Sequence, residues 1–129
     1  MDITAKARFI RMSPRKTRLV ADSVRGLVVG EALARLSVIK QQAALPIVKL
    51  LKSAIANAEH NFKISADKLF VKVITVDGGP VYKRFTPKAF GSATPIRHRT
   101  SHLSLVLAEK EETTKKTEKK VEKKTTKKK

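Results

Sequence analysis

The apolar residues in the first half of the chain recur at helical spacing. The first stripe comprises Leu19, Val20, Val24 and Leu27. Ser13 suits the N-cap of this helix, and Pro14 suits its first position, where the missing N–H costs nothing. Gly26 is the type of residue that follows a helix end in a left-handed conformation. A short second helix is expected after Gly30 and a longer third one from about 43 to 61.

The period then changes to two, which indicates β-strands. Three stretches alternate in this way. In one, Leu69, Val71 and Val73 alternate with Phe70, Lys72 and Ile74; the others contain Leu103, Leu105 and Leu107, and, near the N-terminus, Ala5, Ala7 and Phe9. Three short strands and three helices predict an α+β fold, a small antiparallel three-stranded sheet with the helices on one face.

The segment 78–101 between the two later strands is too long for an ordinary loop of a compact domain. Pro87 and Pro95 exclude it from a central strand. If the flanking strands pair, the segment forms a long β-hairpin that projects from the body, with Gly91 near its tip. A two-stranded arm is marginal alone in water. We therefore expect something outside the chain to support it.

Composition identifies the class of partner. Lys and Arg number 29 against 11 Asp and Glu, so the formal net charge is +18. This charge favours a polyanionic partner, and nucleic acid is the commonest one. The composition breaks near Ala108, which predicts a globular domain at 1–108 and a disordered Lys-rich tail at 109–129. Without cysteine, a long apolar run or a leader pattern, the chain is expected inside the cell.

Two basic clusters are candidate RNA contacts. The arm cluster comprises Lys83, Arg84, Lys88, Arg97, Arg99, His98 and His102, interleaved with Tyr82, Phe85 and Phe90. The body cluster comprises Lys6, Arg8, Arg11, Arg15, Lys16, Arg18 and Arg25. Phosphates would neutralise both clusters, and bases could stack on Tyr82 or Phe90. A mobile solvated loop and a solvated helix face are the plain alternatives.

Other chemistry has weaker support in the sequence. His98 and His102 are four residues apart, but zinc needs three or four converging ligands. The acidic residues form no pair that would suit acid–base catalysis. We therefore expect that the chain is not an enzyme and that it holds neither a cofactor nor a metal. A membrane-surface protein would need an amphipathic helix with aromatics beside its basic residues, and the third helix has none before Phe62. An enzyme acting on nucleic acid and a membrane-surface protein are the two rivals to an RNA-binding protein.

Several sequence motifs follow one another in an order that is typical of one protein family. They are Ser13-Pro14-Arg15-Lys16; Arg18-Leu19-Val20-Ala21-Asp22 with Val24-Arg25-Gly26; Ser53-Ala54-Ile55-Ala56-Asn57-Ala58-Glu59-His60-Asn61; and Gly79-Pro80 followed by Lys83-Arg84, Pro87, Ala89, Gly91, Ala93, Ile96 and Arg99-Thr100-Ser101-His102. Together they resemble the L-twenty-two family of large-subunit ribosomal proteins, with bacterial-type spacing, over about residues 3 to 107.

The resemblance implies a structural protein of the large ribosomal subunit, in the cytoplasm, that aids assembly. Its body would lie near the mouth of the polypeptide exit tunnel, and its hairpin would line the tunnel. The implied partners are large-subunit ribosomal RNA, neighbouring subunit proteins and the nascent polypeptide, with no membrane. The expected RNA contacts are Arg8, Arg11, Arg15, Lys16, Arg18, Arg25, Tyr82, Lys83, Arg84, Lys88, Arg97, His98, Arg99, Thr100 and His102. The expected tunnel-lining tip is Ala89, Phe90, Gly91, Ser92 and Ala93.

Overall fold

A three-stranded antiparallel sheet and three helices form the body, as the sequence predicts. The computed structural model describes residues 2–109. The elements are β1 (Asp2–Ile10), α1 (Pro14–Val24), α2 (Val29–Val38), α3 (Ala44–Phe62), β2 (Leu69–Pro87) and β3 (Ala93–Glu109), with 3-10 turns at Ala66–Lys68 and Ala89–Gly91. The strand order is β1-β3-β2, so β3 is central. The predicted tail lies outside the described residues except for Glu109, which ends β3.

The first helix begins and ends as predicted but presents a different face to the core. Ser13 is the N-cap, Pro14 opens α1, and Gly26 follows its end with φ +80°. The prediction for Leu19 was wrong, because its side chain is 64% exposed. The residues that α1 buries are Thr17, Val20, Ala21 and Val24. Thr17 tolerates burial because its hydroxyl donates a hydrogen bond to the Ser13 carbonyl, 3.1 Å away.

The second and third helices complete the layer that covers the sheet. α2 starts at Val29, so Gly30 lies inside it rather than before it. α3 buries a continuous stripe of Ala44, Ile47, Leu50, Leu51, Ala54 and Ala58. Val48 and Ile55, also expected on this apolar face, lie half-buried at its margin. These buried side chains pack with those of the sheet in one hydrophobic core.

A β-bulge overturns the predicted alternation in β2. Val71 pairs with Leu107, but Val73 pairs with Val106, so β2 contains one extra residue at this point. The extra residue reverses the inward and outward positions that follow. Val73 is therefore 41% exposed and Ile74 is 1% exposed, the opposite of the predicted arrangement.

The free edge of β2 is covered by the segment that joins α1 to α2. The Gly26 amide donates to the Val71 carbonyl, and the Val71 amide donates to the Leu27 carbonyl, each at 2.9 Å. The backbone of Val28 forms an isolated antiparallel bridge with that of Phe70. An uncovered sheet edge invites pairing with other chains, and these contacts prevent it here.

The core predicts a contrast between two leucines of α3. Leu51 is completely buried, whereas Leu45 is 64% exposed. We expect Leu51→Ala to lower the free energy of unfolding by about 2–5 kcal/mol, because it leaves a cavity. Leu45→Ala should change it by no more than about 0.5 kcal/mol. Urea unfolding of the full chain measures both, and equal losses would contradict the described packing of α3.

Candidate nucleic-acid interface

The predicted hairpin is present as a two-stranded arm. Residues 81–87 of β2 pair with residues 93–99 of β3, and the turn Ala89–Gly91 closes the tip. At 3.3 Å per residue the paired part is roughly 20 Å long. All residues from 80 to 99 are exposed except Thr86, which is half-buried. Because β1 pairs only as far as Ser101, Pro95 lies where β3 has a single partner strand, and its missing N–H is tolerated.

The tip holds an aromatic side chain fully in solvent. Phe90 has φ 55°, a left-handed conformation that a bulky residue rarely adopts. The turn is closed by the Lys88 amide, which donates to the Ser92 carbonyl at 2.8 Å, and by the Ser92 hydroxyl, which donates to the Ala89 carbonyl at 2.8 Å. These bonds leave the Phe90 ring without packing in the chain.

The arm root, where the arm leaves the sheet, is built from irregular backbone. β1 has one extra residue between Ala7 and Ile10, and β2 has one between Gly78 and Val81. The two bulges lie opposite adjacent parts of β3, on either side of Ser101. The prediction that Phe9 continues the alternation of β1 was wrong, since Phe9 has φ 58° and is 58% exposed. The Phe9 ring instead lies perpendicular to the His102 ring, with ring centres 4.9 Å apart.

Hydrogen bonds hold the arm root together. The Phe9 amide donates to Nδ1 of His102 at 3.0 Å, which joins β1 to β3 across the bulge. The buried Thr100 hydroxyl donates to the Pro80 carbonyl at 2.6 Å, which joins β3 to β2. A Cβ added at Gly79 would collide with this hydroxyl, so a larger residue there would force the Thr100 side chain to move.

A cleft of about 940 Å³ opens beside the arm root. It lies between the arm, the start of α1 and the loop that joins α2 to α3. Its lining residues are Arg11, Met12, Ser13, Lys16, Leu19, Gln41, Gln42, Ala43, Tyr82, Arg84, Arg97, His98, Arg99 and Thr100. The chain produces this space because β1 ends at Ile10 while β3 and β2 continue, so the segment after β1 diverges from the arm.

The cleft is strongly and uniformly basic. Its charged side chains are Arg11, Lys16, Arg84, Arg97 and Arg99, and among residues 2–109 no acidic side chain lines it. The Arg11 guanidinium carbon lies 5.8 Å from the centre of the Tyr82 ring, within cation–π distance. Ser13 forms no side-chain hydrogen bond to the first turn of α1. The arrangement therefore suits a polyanion and offers an aromatic surface beside the charges.

The structure brings together about half of the predicted contacts. The cleft unites Arg11, Lys16, Tyr82, Arg84, Arg97, His98, Arg99 and Thr100 from two parts of the chain. The remaining ones, Arg8, Arg15, Arg18, Arg25, Lys83, Lys88 and His102, lie outside its lining. RNA contact stays a prediction for the residues inside the cleft and for those outside it.

Two of the predicted body contacts also have a role in the fold. The Arg18 guanidinium donates to the Val76 carbonyl of β2 at 2.9 and 3.1 Å. The Arg25 guanidinium donates to the Ile74 carbonyl at 3.1 Å and pairs with Asp22 at 2.9 Å. Both arginines thus bind the edge of β2 next to the backbone contacts of the α1–α2 segment.

Sequence reasoning missed the contribution of the loop between α2 and α3. Gln41, Gln42 and Ala43 line the cleft together with residues of the arm. Two adjacent glutamines in a short interhelical loop were the only local signal, and they are common at ordinary protein surfaces. Their proximity to the arm depends on packing between segments that are far apart in sequence.

From 2 to 109, no helix combines the length and apolarity needed to cross a membrane. Over that stretch, no group of three or more His, Asp or Glu side chains is placed to hold a metal ion.

Comparison with known proteins gives a consistent match. The family model described as "Ribosomal protein L22p/L17e" matches residues 5–108. Similar curated proteins carry the name "Large ribosomal subunit protein uL22". The one from Chloroflexus aggregans is 50% identical and covers 87% of this chain and 99% of its own. Those from Geobacter sulfurreducens and Geobacter metallireducens are 52% and 54% identical, cover 86% and 85% of this chain, and are matched over their full length.

The arm root predicts different effects at two neighbouring glycines. We expect Gly79→Ala to lower the free energy of unfolding by about 1–3 kcal/mol, because the new methyl group displaces the Thr100 hydroxyl from Pro80. Gly78→Ala meets no atom within 4 Å and should change it by about 0.5 kcal/mol or less. In a Thr100→Ala background, Gly79→Ala should cost less. Denaturant unfolding of the four variants measures this coupling, and additive losses would rule it out.

Proposed function

This chain belongs to the ribosomal protein L22p/L17e family, and from that premise we propose that it binds large-subunit ribosomal RNA through its cleft and its arm. Its role is that of a structural constituent of the large ribosomal subunit. Membership of this family also confirms the expectation that the chain is not an enzyme.

The convergence of two basic clusters carries the proposal. Arg11 and Lys16 come from the start of the chain, and Arg84, Arg97 and Arg99 come from the arm, yet all five line one cleft. Like charges brought this close repel one another and destabilise the folded chain unless a polyanion neutralises them. RNA phosphates supply that neutralisation, and arginine's planar fork can bind a phosphate with two hydrogen bonds.

The proposed mechanism is neutralisation and bracing of folded RNA. Basic side chains replace counterions around the phosphates, so RNA segments that otherwise repel can lie on either side of the arm. Recognition depends on RNA shape and backbone, because A-form helices hide most base edges from side chains. The bound RNA in turn stabilises the exposed two-stranded arm, which is marginally stable on its own.

The tip is proposed to line the polypeptide exit tunnel, as the family resemblance implies. Residues 89–93 carry no charge, and Phe90 is fully exposed at the far end of the arm. A side chain in this position can meet a passing peptide without a competing contact from its own chain. The proposed partners are therefore large-subunit RNA, neighbouring subunit proteins and the nascent polypeptide, in the ribosome.

The salt dependence of RNA binding tests the cleft. We expect Lys16→Ala and Arg84→Ala to weaken binding of the full chain to a large-subunit RNA transcript. Removal of one phosphate-binding side chain should flatten the slope of log K against log salt by about 0.7 to 0.9. Filter binding across a salt series measures both quantities.

Matched controls lie outside the cleft. Lys52 of α3 and Arg35 of α2 are exposed helix residues that do not line it. Lys52→Ala and Arg35→Ala should leave the affinity and the salt slope close to those of the unaltered chain. If all four variants have the same affinity and slope, the attraction is diffuse and the cleft is not the RNA site.

Photo-crosslinking tests the tip. A photoreactive phenylalanine analogue at Phe90 should crosslink to the nascent chain in translating ribosomes, because the side chain is fully exposed at the end of the arm. The same analogue at Phe62, which is 40% exposed at the end of α3, is the control and should not crosslink to the peptide. Equal yields at both positions, or none at Phe90, would refute the tunnel-lining role.

A further inference from the structure

We propose that the cleft binds an unpaired, single-stranded segment of RNA and that the Tyr82 ring stacks against one of its bases. This inference rests on the proposed RNA-binding function and adds the class of RNA structure that the cleft accepts. It distinguishes the cleft from the rest of the basic surface, where contacts with phosphates alone would account for RNA binding.

The dimensions of the cleft favour a few nucleotides. Its volume of about 940 Å³ falls in the range of roughly 300–1,000 Å³ that holds small ligands. It is lined both by the arm and by the α2–α3 loop, so an entering RNA segment meets two separate parts of the protein. In an RNA duplex the bases are stacked and paired inside the helix, whereas in a loop or bulge they can turn outward. Only the latter can place a base inside the cleft.

Tyr82 is placed to receive such a base. Its ring is 42% exposed and forms part of the cleft wall, with the Arg11 guanidinium 5.8 Å from its centre. Aromatic rings and arginine planes are the surfaces on which unstacked bases lie in single-strand recognition. Arg84, two residues further along β2 and therefore on the same face as Tyr82, also lines the cleft and is positioned for a flanking phosphate. A ring with a purely structural role would be covered by apolar neighbours, and this one is flanked by charges.

The other arm aromatics do not share this setting. Phe85 is more exposed than Tyr82, at 70%, and does not line the cleft. It is three residues further along β2, and an odd spacing in a strand places two side chains on opposite faces. Phe90 lies at the tip, away from the arginines of the cleft. Phe85 is therefore a matched control for Tyr82 on the same strand.

The sequence provides a built-in optical probe. Tyr82 is the single tyrosine of the chain, and there is no tryptophan, so the intrinsic emission of the full chain reports this ring alone. The full chain is titrated with three probes: an RNA hairpin with an unpaired loop, its stem as a blunt duplex, and inorganic polyphosphate. Free tyrosine amide with the same RNA corrects for absorption by the bases. We expect the looped RNA to quench the emission at saturation, and the duplex and polyphosphate to bind with little quenching.

Variants separate stacking from charge. Tyr82→Leu should lower the affinity for the looped RNA by about 5- to 150-fold, the range found for removal of one base–aromatic stack. The salt slope should not change, because no charge is removed. Tyr82→Phe keeps the ring and should retain the affinity of the unaltered chain. Phe85→Leu should also retain it, and circular dichroism confirms that each variant is folded.

The outcomes distinguish this inference from the proposed function. Equal quenching by all three probes, or equal affinities of Tyr82→Leu and Phe85→Leu for the looped RNA, overturns the stacking site while RNA binding stands. Failure of the unaltered chain to bind either RNA overturns both. Preferential quenching by the looped RNA together with a selective loss of affinity in Tyr82→Leu supports the site.

Discussion

The central strand β3 belongs both to the body and to the arm, and the position of the cleft depends on this continuity. From Ser101 onward β3 is hydrogen-bonded on both sides, and its residues Leu103, Leu105 and Leu107 are buried in the core. Before Arg99 it pairs with β2 alone. Because one continuous strand runs through both parts, the direction of the arm is set by the packing of the core. The helices rest on that same core, so α1 and the α2–α3 loop face the arm across a defined gap.

The irregular backbone at the arm root adjusts how the arm leaves the sheet. Two extra residues, one in β1 and one in β2, lie opposite adjacent parts of β3 on either side of Ser101. A bulge bends its strand and increases the local twist. The contacts of His102 with Phe9 and of Thr100 with Pro80 join all three strands at this level. The exposed arm thus starts from a well-bonded base although its own residues have little packing.

The arginines of this chain make two different kinds of contact. Arg18 and Arg25 bind carbonyl groups of the β2 edge, and Asp22 partly compensates Arg25. The second ion pair of the described residues, Asp2 with Lys72, joins β1 to β2 on the body at 2.8 Å. In the cleft, by contrast, Arg84 finds only a neighbouring carbonyl, that of Lys83. Arg18 and Arg25 thus join α1 to β2, whereas the recorded hydrogen bond of the Arg84 side chain stays within its own strand.

The sequence alone determined the helices, the three strands, the projecting hairpin and the basic character of its surface, because these depend on local periodicity, on prolines and on charge. Alternation alone was sufficient to predict the strand that contains Leu103, Leu105 and Leu107, whose side chains are buried. Only the tertiary structure decided that Val73 and Phe9 turn outward, since a bulge depends on how two strands pair. It also decided which residues share the cleft: Arg11, Gln41 and Tyr82 line it together through packing between distant segments, which no local pattern encodes.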